Sequence, residues 1–521
     1  MARHPHWGHP DHDACGTGFV TRLGGGPSHE IVGLAVGALE RLSHRGGVDA
    51  DGASGDGTGL LTALPEKFFR AQAIEAGIEL PERFGVGVVF LAADREQEVR
   101  EAIGRAAAGE PLRILGWRRV PVALEVLGRR AREIAPRIWH FFIAPVGDDE
   151  TVSFESRLAL LRKRAESLAP EGTYFCSLSS RTIVYKGLLS PRRLPEFYAD
   201  LRDSGFETTF AIFHQRYSTN TQPSWNLAQP FRHIAHNGEI NTIVGNRRWL
   251  AARERALRGR LKVGEWFHAL EDNVSDSASF DNGFEVRLLE GQTPEEALLG
   301  MVPPAFEKDP TLAENVRAQL ESFCGRGEAW DGPAAMIFTD GQIVGAKLDR
   351  NGLRPMRYLL TRDGLLMAGS EAGLMDVSEA RVAERQRLGP GEMLVANPVT
   401  GTFERWGQIL DRVARCSTNR AQVPARRLSA DVVASPESPR QPKRTAAALG
   451  WTEDQFKHVF ASLAGGKEAD WSMGDDAPPA FISSLHRTLW DYCKQRFAQV
   501  TNPPIDPLRE AHVMSLDVGL R

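Results

Sequence analysis

Short apolar runs, bounded by glycine or polar residues, recur along the chain up to about residue 396 and predict buried strands. They form an early group at residues 84–93, 137–144, 181–185 and 208–214, and a late group at residues 334–338, 342–347, 356–360, 365–368 and 392–396. Apolar residues at helical spacing predict helices at 31–42, 249–261 and 293–301. Strands in two groups with helices between them favour a layered α+β fold over regular βαβ alternation.

Glycine marks both turns and a loop. The pairs Asp340-Gly341 and Asn351-Gly352 predict tight turns between late strands. The densest cluster, from Gly46 to Gly59, predicts a loop whose main chain can approach a ligand closely. Its GASGDGTG segment is similar to a phosphate-binding loop, but no Gly-Lys-Ser/Thr follows, which disfavours nucleotide binding.

The apolar pattern stops after the last predicted strand. Residues 422–444 (QVPARRLSADVVASPESPRQPKR) are rich in Pro, Ser and Arg and predict a solvated linker. About 75 residues follow, with a predicted helix at 491–499 ahead of the proline-rich TNPPIDP segment. That tail is short for a complete domain.

Composition narrows the functional classes. The 521 residues predict roughly two to four domains, and 63 basic against 67 acidic residues give a net charge of −4, which gives no support for nucleic-acid or membrane-surface binding. No apolar run is long enough to span a bilayer, and the first residues lack the apolar core of a secretory signal. The scattered cysteines predict no disulfide framework and a reducing, cytoplasmic compartment; they are Cys15, Cys176, Cys324, Cys416 and Cys493.

Candidate chemistry begins at Cys15, which alone is weak evidence because most single cysteines are inert. The motifs that accompany it along the chain change this interpretation. Five short motifs follow in order: DACGTGF around Cys15, His44-Arg45-Gly46, His214-Gln-Arg216-Tyr-Ser-Thr, His236-Asn237-Gly238-Glu239 and Ser275-Asp276-Ser277. This order resembles the class-II glutamine amidotransferases, whose nucleophile is an N-terminal cysteine exposed by processing.

Within that superfamily, longer segments resemble the large subunit of the glutamate synthases. They are DADGASGDGTGLLTALP, YFCSLSSRTIVYKGLL, FHQRYSTNTQPSWNLAQPFRHIAHNGEINT, KLDRNGLRP and RLGPGEM. The resemblance covers about residues 11–403, and SMGDD and FAQVTNPPIDP extend it into the opening of that family's central domain. It implies a leader at 1–14, an amidotransferase domain at 15–415, a linker at 416–444 and an incomplete central domain at 445–521. The implied fold is a four-layer αββα sandwich of the N-terminal-nucleophile type.

The implied reaction is attack of Cys15 on the side-chain amide of glutamine, giving a γ-glutamyl thioester and ammonia. A free α-amine has a pKa of roughly 7.7–8, close to that of a thiol, so an N-terminal cysteine can supply its own base. Removal of residues 1–14 is therefore expected, because an amide nitrogen is no base. Four histidines in that leader, His4, His6, His9 and His12, could bind zinc with Cys15, but a disposable leader is the better interpretation, and no metal site is expected.

The resemblance also implies roles for five further residues. Asn237 and the Gly238 N–H would form the oxyanion hole, although Asn-Gly alone is a common turn signal. Arg216 would bind the α-carboxylate and Asp276 the α-ammonium of glutamine, although alone they suit a surface arginine and a helix N-cap. Arg45, counted with the substrate-binding residues, is expected to order the loop that holds Cys15. A second aspartate in the Ser275 motif, at position 281, is assigned a structural role.

No cofactor is expected in this chain, whereas the complete glutamate synthase that it resembles contains FMN and a 3Fe–4S cluster. The implied partners are L-glutamine, the remaining synthase domains or subunit, and an electron-donor subunit or ferredoxin. A split subunit, an engineered fragment and a truncated product all remain open, and the unfinished central domain favours truncation. Two other functions stay open: an amidotransferase that serves a sugar or nucleotide precursor, and a non-catalytic remnant that retains Met1.

Overall fold

The computed structural model describes residues 15–147, 152–216, 223–271, 274–325 and 327–416, with residues 444, 453 and 456–466 in addition. Its strands are β1 (Gly16–Arg22), β2 (Ser54–Ala63), β3 (Gly85–Leu91), β4 (Leu112–Arg119), β5 (Arg137–Pro145), β6 (Tyr174–Ser179), β7 (Thr182–Leu189), β8 (Phe210–Gln215), β9 (Ile234–Gly238), β10 (Ala334–Thr339), β11 (Val344–Leu348), β12 (Arg357–Thr361), β13 (Leu365–Gly369), β14 (Val382–Arg387), β15 (Met393–Asn397) and β16 (Thr402–Glu404). Its α-helices up to residue 416 are α1 (His29–Arg41), α2 (Glu66–Glu75), α3 (Glu96–Ala107), α4 (Arg129–Glu133), α5 (Phe154–Leu168), α6 (Leu194–Phe197), α7 (Ile243–Leu261), α8 (Asp276–Leu289), α9 (Pro294–Met301), α10 (Glu314–Cys324) and α11 (Trp406–Cys416).

Two antiparallel sheets face each other at the centre. One has the strand order β14-β12-β13-β1-β8-β2-β7 and the other the order β16-β15-β11-β10-β9. Apolar side chains of both sheets, among them Phe19, Ile212 and Ala235, are fully buried in one core. Helix α1 covers the outer face of the first sheet, and α7 to α11 cover the outer face of the second. The predicted α+β fold, a four-layer αββα sandwich, is therefore confirmed.

Strand β1 joins the early and the late strands. Gly18 lies opposite Phe213 of β8 on one side and opposite Gly369 of β13 on the other. The two groups are therefore separate along the chain but not in space. Asp340-Gly341 closes the β10–β11 hairpin, whereas Asn351-Gly352 lies in the connection from β11 in one sheet to β12 in the other.

The structure agrees with the predicted helices more closely than with the interpretation of the glycine cluster. The predicted helices correspond to α1, α7 and α9, although α7 already begins at Ile243. The glycine cluster from Gly46 to Gly59 is not one loop, because residues from Ser54 onward form β2. Residues 58–62 of β2 pair with both neighbouring strands, and its glycines let other main chain approach the sheet.

A third sheet, of order β4-β5-β3-β6, was not predicted as a separate unit. It has its own core, in which Ile103 of α3 and Leu161 of α5 pack against Phe141. Helix α5 also contacts the second helical layer, because the Arg162 Nη2 donates to Glu285 Oε2 of α8 at 2.5 Å. The third sheet is thus tied to the sandwich by a buried ion pair.

The chain divides into two compact units, Met1–Val423 with Pro507–Arg521, and Pro424–Asp506. In the second unit, the described residues include a helical turn at Phe456–Phe460 and a short α-helix at Ala461–Ala464. The predicted leader at 1–14, residues 417–443 of the predicted linker and the predicted helix at 491–499 lie outside the described residues. Among the helices that are described, none has the length and apolarity needed to cross a membrane.

Asp281 of α8 holds the beginning of β9. Its carboxylate is fully buried and accepts the backbone N–H groups of His233 and Ile234 at 2.9 and 3.0 Å, and that of Arg232 at 3.3 Å. The Arg232 guanidinium lies 3.6 Å from the same carboxylate. This geometry agrees with the structural role that the sequence predicts for Asp281.

We expect Asp281→Ala to lower the free energy of unfolding by about 3–5 kcal/mol, because it leaves buried N–H groups and a buried guanidinium without their acceptor. Urea unfolding followed by circular dichroism measures this loss. Asp376→Ala is the control, since Asp376 forms an exposed ion pair with Arg41, and it should change stability little. Equal losses in the two variants would contradict the assigned role of Asp281.

Candidate active site

Cys15 and Arg216 meet at the paired ends of two central strands. Gly16 of β1 lies opposite Gln215 of β8, so the antiparallel register places Cys15, one residue earlier, opposite Arg216, one residue later. Cys15 is half-buried, and Arg216 is only 7% exposed. The Arg216 N–H donates to the carbonyl oxygen of Gly57 at 2.8 Å, which fixes the strand end on β2.

The Arg216 guanidinium lies in a field of acidic groups. Burial lowers the pKa of Arg216, while Cys15, Asp56 and Asp276 favour its charged form. Three of the predicted site residues therefore lie close enough to influence one another electrostatically. Asp56 joins them, although the sequence did not single it out.

Asp276 is the first residue of α8 but not its N-cap. Ser275 caps the helix by accepting from Ala278 N at 3.2 Å. The Asp276 carboxylate accepts the N–H of Ser277 at 2.8 Å through Oδ1 and the N–H of Ile240, just beyond β9, at 3.1 Å through Oδ2. The alternative interpretation of Asp276 as a simple helix cap is therefore wrong, and its carboxylate joins α8 to the segment after Gly238.

Asn237 and Gly238 form the end of β9 and pair with Ala335 and Ala334 of β10, so they are not a simple Asn-Gly turn. Asn237 is 4% exposed and lies on the same face of the strand as Ala235, which packs between the two sheets. Gly238 has φ +143°, and a Cβ there would overlap the carbonyl oxygen of Pro333. Only glycine fits this position.

Arg45 ends a short 3₁₀ turn that follows α1, and its Nε forms an ion pair with Glu371. The residue before Glu371, Ser370, is bound to β1, because its Oγ accepts from Thr17 N at 3.1 Å and its N–H donates to Thr17 O at 2.8 Å. Arg45 is thus tied to a segment that pairs with β1 two residues beyond Cys15.

The two glycines after Arg45 make this loop fit closely. A Cβ at Gly46 would overlap the Gln215 side chain, and a Cβ at Gly47 would overlap the Asp56 carboxylate. Asp56 N also donates to Gly47 O at 3.1 Å. The loop therefore packs directly on the strand ends that carry the site.

Several other residues that support the site had no clear signal in the sequence. His214 Nε2 lies 3.1 Å from His236 O and bridges the two sheets, so we assign it as the donor. Gln229 Oε1 accepts from His236 N at 2.9 Å, and its Nε2 lies 3.4 Å from Ser277 Oγ. Asp56 could have been found as the one carboxylate inside the GASGDGTG glycine cluster.

Burial keeps the described histidines and cysteines near the core in their neutral forms. Burial lowers the pKa of His214 to about 3 and also lowers that of His236, so both imidazoles stay neutral. Burial raises the pKa values of Cys176 and Cys324 to about 12. Among the described residues, no group of three or more His, Cys, Asp or Glu side chains is arranged to hold a metal ion.

Comparisons with known proteins identify the family of this chain. Residues 15–417 match the family "Glutamine amidotransferases class-II", and residues 444–521 match "Glutamate synthase central domain". "Ferredoxin-dependent glutamate synthase 1, chloroplastic/mitochondrial" of Arabidopsis thaliana is 42% identical over 536 residues, which cover 97% of this chain and 32% of that protein. "Glutamate synthase [NADPH] large chain" of Azospirillum brasilense is 40% identical over 535 residues, which cover 98% of this chain and 35% of that protein.

The chain thus spans about a third of the length of these relatives. The similarity to glutamate synthases that the motifs predict is confirmed over nearly the whole chain. The family match to residues 15–417 covers most of the 521 residues and includes Cys15, Arg216, Asn237 and Asp276. The chain belongs to the class-II glutamine amidotransferases.

Proposed function

We propose that this chain hydrolyses the side-chain amide of glutamine, with Cys15 as the nucleophile. The observation that carries the proposal is the meeting of Cys15 with Arg216 at the ends of β1 and β8, with Asp276 within electrostatic reach. The thiolate sulfur would attack the amide carbon and form a tetrahedral intermediate. Its collapse breaks the C–N bond, releases ammonia and leaves a γ-glutamyl thioester, which water then hydrolyses to glutamate and the free thiol.

The base would be the α-amine of Cys15 itself, after removal of residues 1–14. This is supported by the family match, which begins at residue 15. The nearby imidazoles are poor alternatives, because His214 is fully buried with a pKa of about 3 and its ring is used in contact with His236 O. The amine would take the thiol proton and return one to the departing nitrogen.

The oxyanion would be stabilised by Asn237 and the Gly238 N–H. In support, Asn237 is nearly buried, and its backbone is held rigidly by pairing with β10. A donor fixed in a water-poor site needs no reorganisation when the charge develops, which is why such donors act on the transition state. The lack of a Cβ at Gly238 lets its main chain pack against the Pro333 carbonyl, which fixes its position.

Arg216 and Asp276 would hold the two charged groups of the glutamine backbone. The planar Arg216 guanidinium suits the α-carboxylate, and the Asp276 carboxylate suits the α-ammonium. Arg45 would act on substrate binding indirectly, through the loop that packs on Gln215 and Asp56. Its ion pair with Glu371 supports this indirect role.

For the whole protein, we propose that the ammonia serves the synthesis of glutamate from 2-oxoglutarate in a synthase portion, with FMN and a 3Fe–4S cluster held outside this chain. The relatives' names include both ferredoxin-dependent and NADPH enzymes, so either kind of electron donor is compatible with this part of the protein. We propose the same domain boundaries as the motifs predict, with the leader at 1–14 and the linker at 416–444. A cytoplasmic location remains a prediction.

Intact-mass measurement and covalent labelling test whether Cys15 is the nucleophile. Intact mass should show active protein beginning at Cys15, and a glutamine-like electrophile should label wild type at Cys15, because the Cys176 and Cys324 thiols stay protonated at neutral pH. Cys15→Ala should abolish both ammonia release and labelling, and Cys176→Ala is the matched control. Active protein that retains Met1, or a label found on Cys176 or Cys324, would refute the mechanism.

Asn237→Ala should lower kcat by roughly 10²–10³-fold with a much smaller effect on KM, because the oxyanion exists only along the reaction path. Steady-state ammonia release measures both constants. Asn397→Ala is a suitable control, since the Asn397 Oδ1 accepts the N–H groups of Val399 and Thr400 in an exposed turn after β15. A change confined to KM would place Asn237 on the ground-state substrate instead.

Arg216→Ala and Asp276→Ala should each raise KM strongly, because each charge-assisted contact is made in both the ground and the transition state. Each variant should also lose discrimination against the glutamine analogue that lacks its own partner group: the des-carboxy analogue for Arg216 and the des-amino analogue for Asp276. Arg216→Lys should restore little, since an ammonium lacks the bidentate fork. Variants that melt earlier but keep wild-type preference would show a purely structural role.

A further inference from the structure

Ala228 and Gln229 lie against the inner face of the first sheet, beside the site. Two glycines of β2 make room for them. A Cβ at Gly57 would meet the Ala228 Cβ at 3.0 Å, and a Cβ at Gly59 would meet the Gln229 carbonyl oxygen at 2.7 Å. Lys186 of the neighbouring strand pairs with Gly59 and so faces the same side of the sheet. The glycines that resemble a phosphate loop in the sequence therefore form a surface for another segment of the chain.

Lys186 of β7 holds this segment by its main chain. Its Nζ donates to Ala228 O at 2.7 Å, to Asn226 O at 3.0 Å and to the Tyr174 hydroxyl at 2.9 Å. The side chain is fully buried, and its Nζ also lies 4.8 Å from the centre of the Phe231 ring. Among the described residues, all three of its hydrogen-bond acceptors are neutral oxygens.

A buried ammonium without a bound carboxylate is unfavourable unless its donors are satisfied. Burial, together with the charge of Arg232, lowers the pKa of Lys186 to about 8, while Cys176, Asp281 and Glu271 favour the charged form. The Lys186 charge is thus directed at two carbonyl groups that belong to one short segment. Hydrogen bonds from a charged donor are roughly twice as strong as neutral ones, which suits an anchor.

The anchored segment contacts both parts of the substrate site. Ala228 packs on Gly57, whose carbonyl oxygen accepts the Arg216 N–H. The next residue, Gln229, accepts from His236 N beside Asn237 and lies within hydrogen-bond distance of Ser277 Oγ beside Asp276. A shift of this segment would therefore displace the supports of Arg216 and Asp276 together.

We propose that Lys186 is a positioning residue for glutamine binding: by gripping the carbonyl groups of Asn226 and Ala228, it keeps Arg216 and Asp276 at the spacing of the substrate's two charged groups. This rests on the proposed function, and it deepens that function by adding a residue that touches no substrate atom. Lys186 lies on β7, three strands away from Cys15 in the sheet order β1-β8-β2-β7, with β8 and β2 between them.

The chain offers a matched control. Lys347 of β11 is also fully buried, with a pKa lowered by burial to about 7, and its Nζ donates to Gly391 O at 2.8 Å. It lies 5.5 Å from the Trp406 ring, on the side of the second sheet that α11 covers. Loss of either ammonium removes a buried charge, but only Lys186 contacts the segment at the site.

The test compares Lys186→Met with Lys347→Met in the full chain. Lys186→Met should raise KM for glutamine roughly 10-fold or more with kcat changed far less, and should speed hydrogen exchange of the amides at 224–229. Lys347→Met should leave both unchanged, whatever its effect on thermal stability. Lys186→Gln keeps amide donors on a shorter side chain and should give intermediate values of KM and of hydrogen exchange. It replaces Lys186→Met in the test if the methionine variant does not fold.

An unchanged KM in Lys186→Met, or an equal rise in Lys347→Met, would overturn the proposal. So would unchanged exchange at 224–229, which is measured without substrate. If wild type releases no ammonia at all, the proposed function fails, and the exchange comparison still shows whether Lys186 anchors the segment. Faster exchange there in Lys186→Met alone supports the anchor independently of turnover.

Discussion

The pairing of β1 with β8 is the interaction on which the site depends. Its register places Gly16 opposite Gln215 and therefore Cys15 opposite Arg216, two residues that are about 200 positions apart in the chain. An antiparallel ladder fixes such a pair within a fraction of a residue, because a slip by one position would turn every side chain of β1 to the opposite face. Phe19 would then leave its place between the two sheets and exchange with the side of β1 that carries the smaller Val20, so packing on both faces of β1 protects the geometry of the site.

Helix α8 holds in place the strand that carries Asn237 and Gly238. Asp281 holds the beginning of β9 from one turn inside this helix, and Asp276 holds the segment beyond the end of β9 from its first residue. Two carboxylates on one helix thus fix both ends of the strand that carries Asn237 and Gly238. The buried pair of Arg162 with Glu285 extends the same helix to the third sheet. Because the Asp281 and Glu285 carboxylates are buried, loss of either leaves a charge or a donor without compensation.

The glycines around the site have one effect in common: without a Cβ, they let segments of the chain pack closely against one another. Gly46 and Gly47 let the loop after Arg45 lie on Gln215 and Asp56, while Gly57 and Gly59 let residues 228–229 lie on β2. The result is a set of main-chain segments in direct contact, with few side chains between them. Such close approach keeps the support of Arg216 stiff, which the proposed binding of two charged groups at a fixed distance requires.

The sequence by itself determined the family and most of the strongly apolar strands, because motifs and apolar periodicity are local properties. It also predicts a nucleophile and a structural role for Asp281. The tertiary structure alone decided that the glycine cluster is partly a strand, that early and late strands share one sheet, and that Asp276 binds a distant N–H in addition to one of its own helix. It alone revealed Asp56, Gln229 and Lys186, since their importance comes from contacts between segments far apart in the chain. Pairing partners in a sheet are chosen by the packing of whole layers, and no local pattern records that choice.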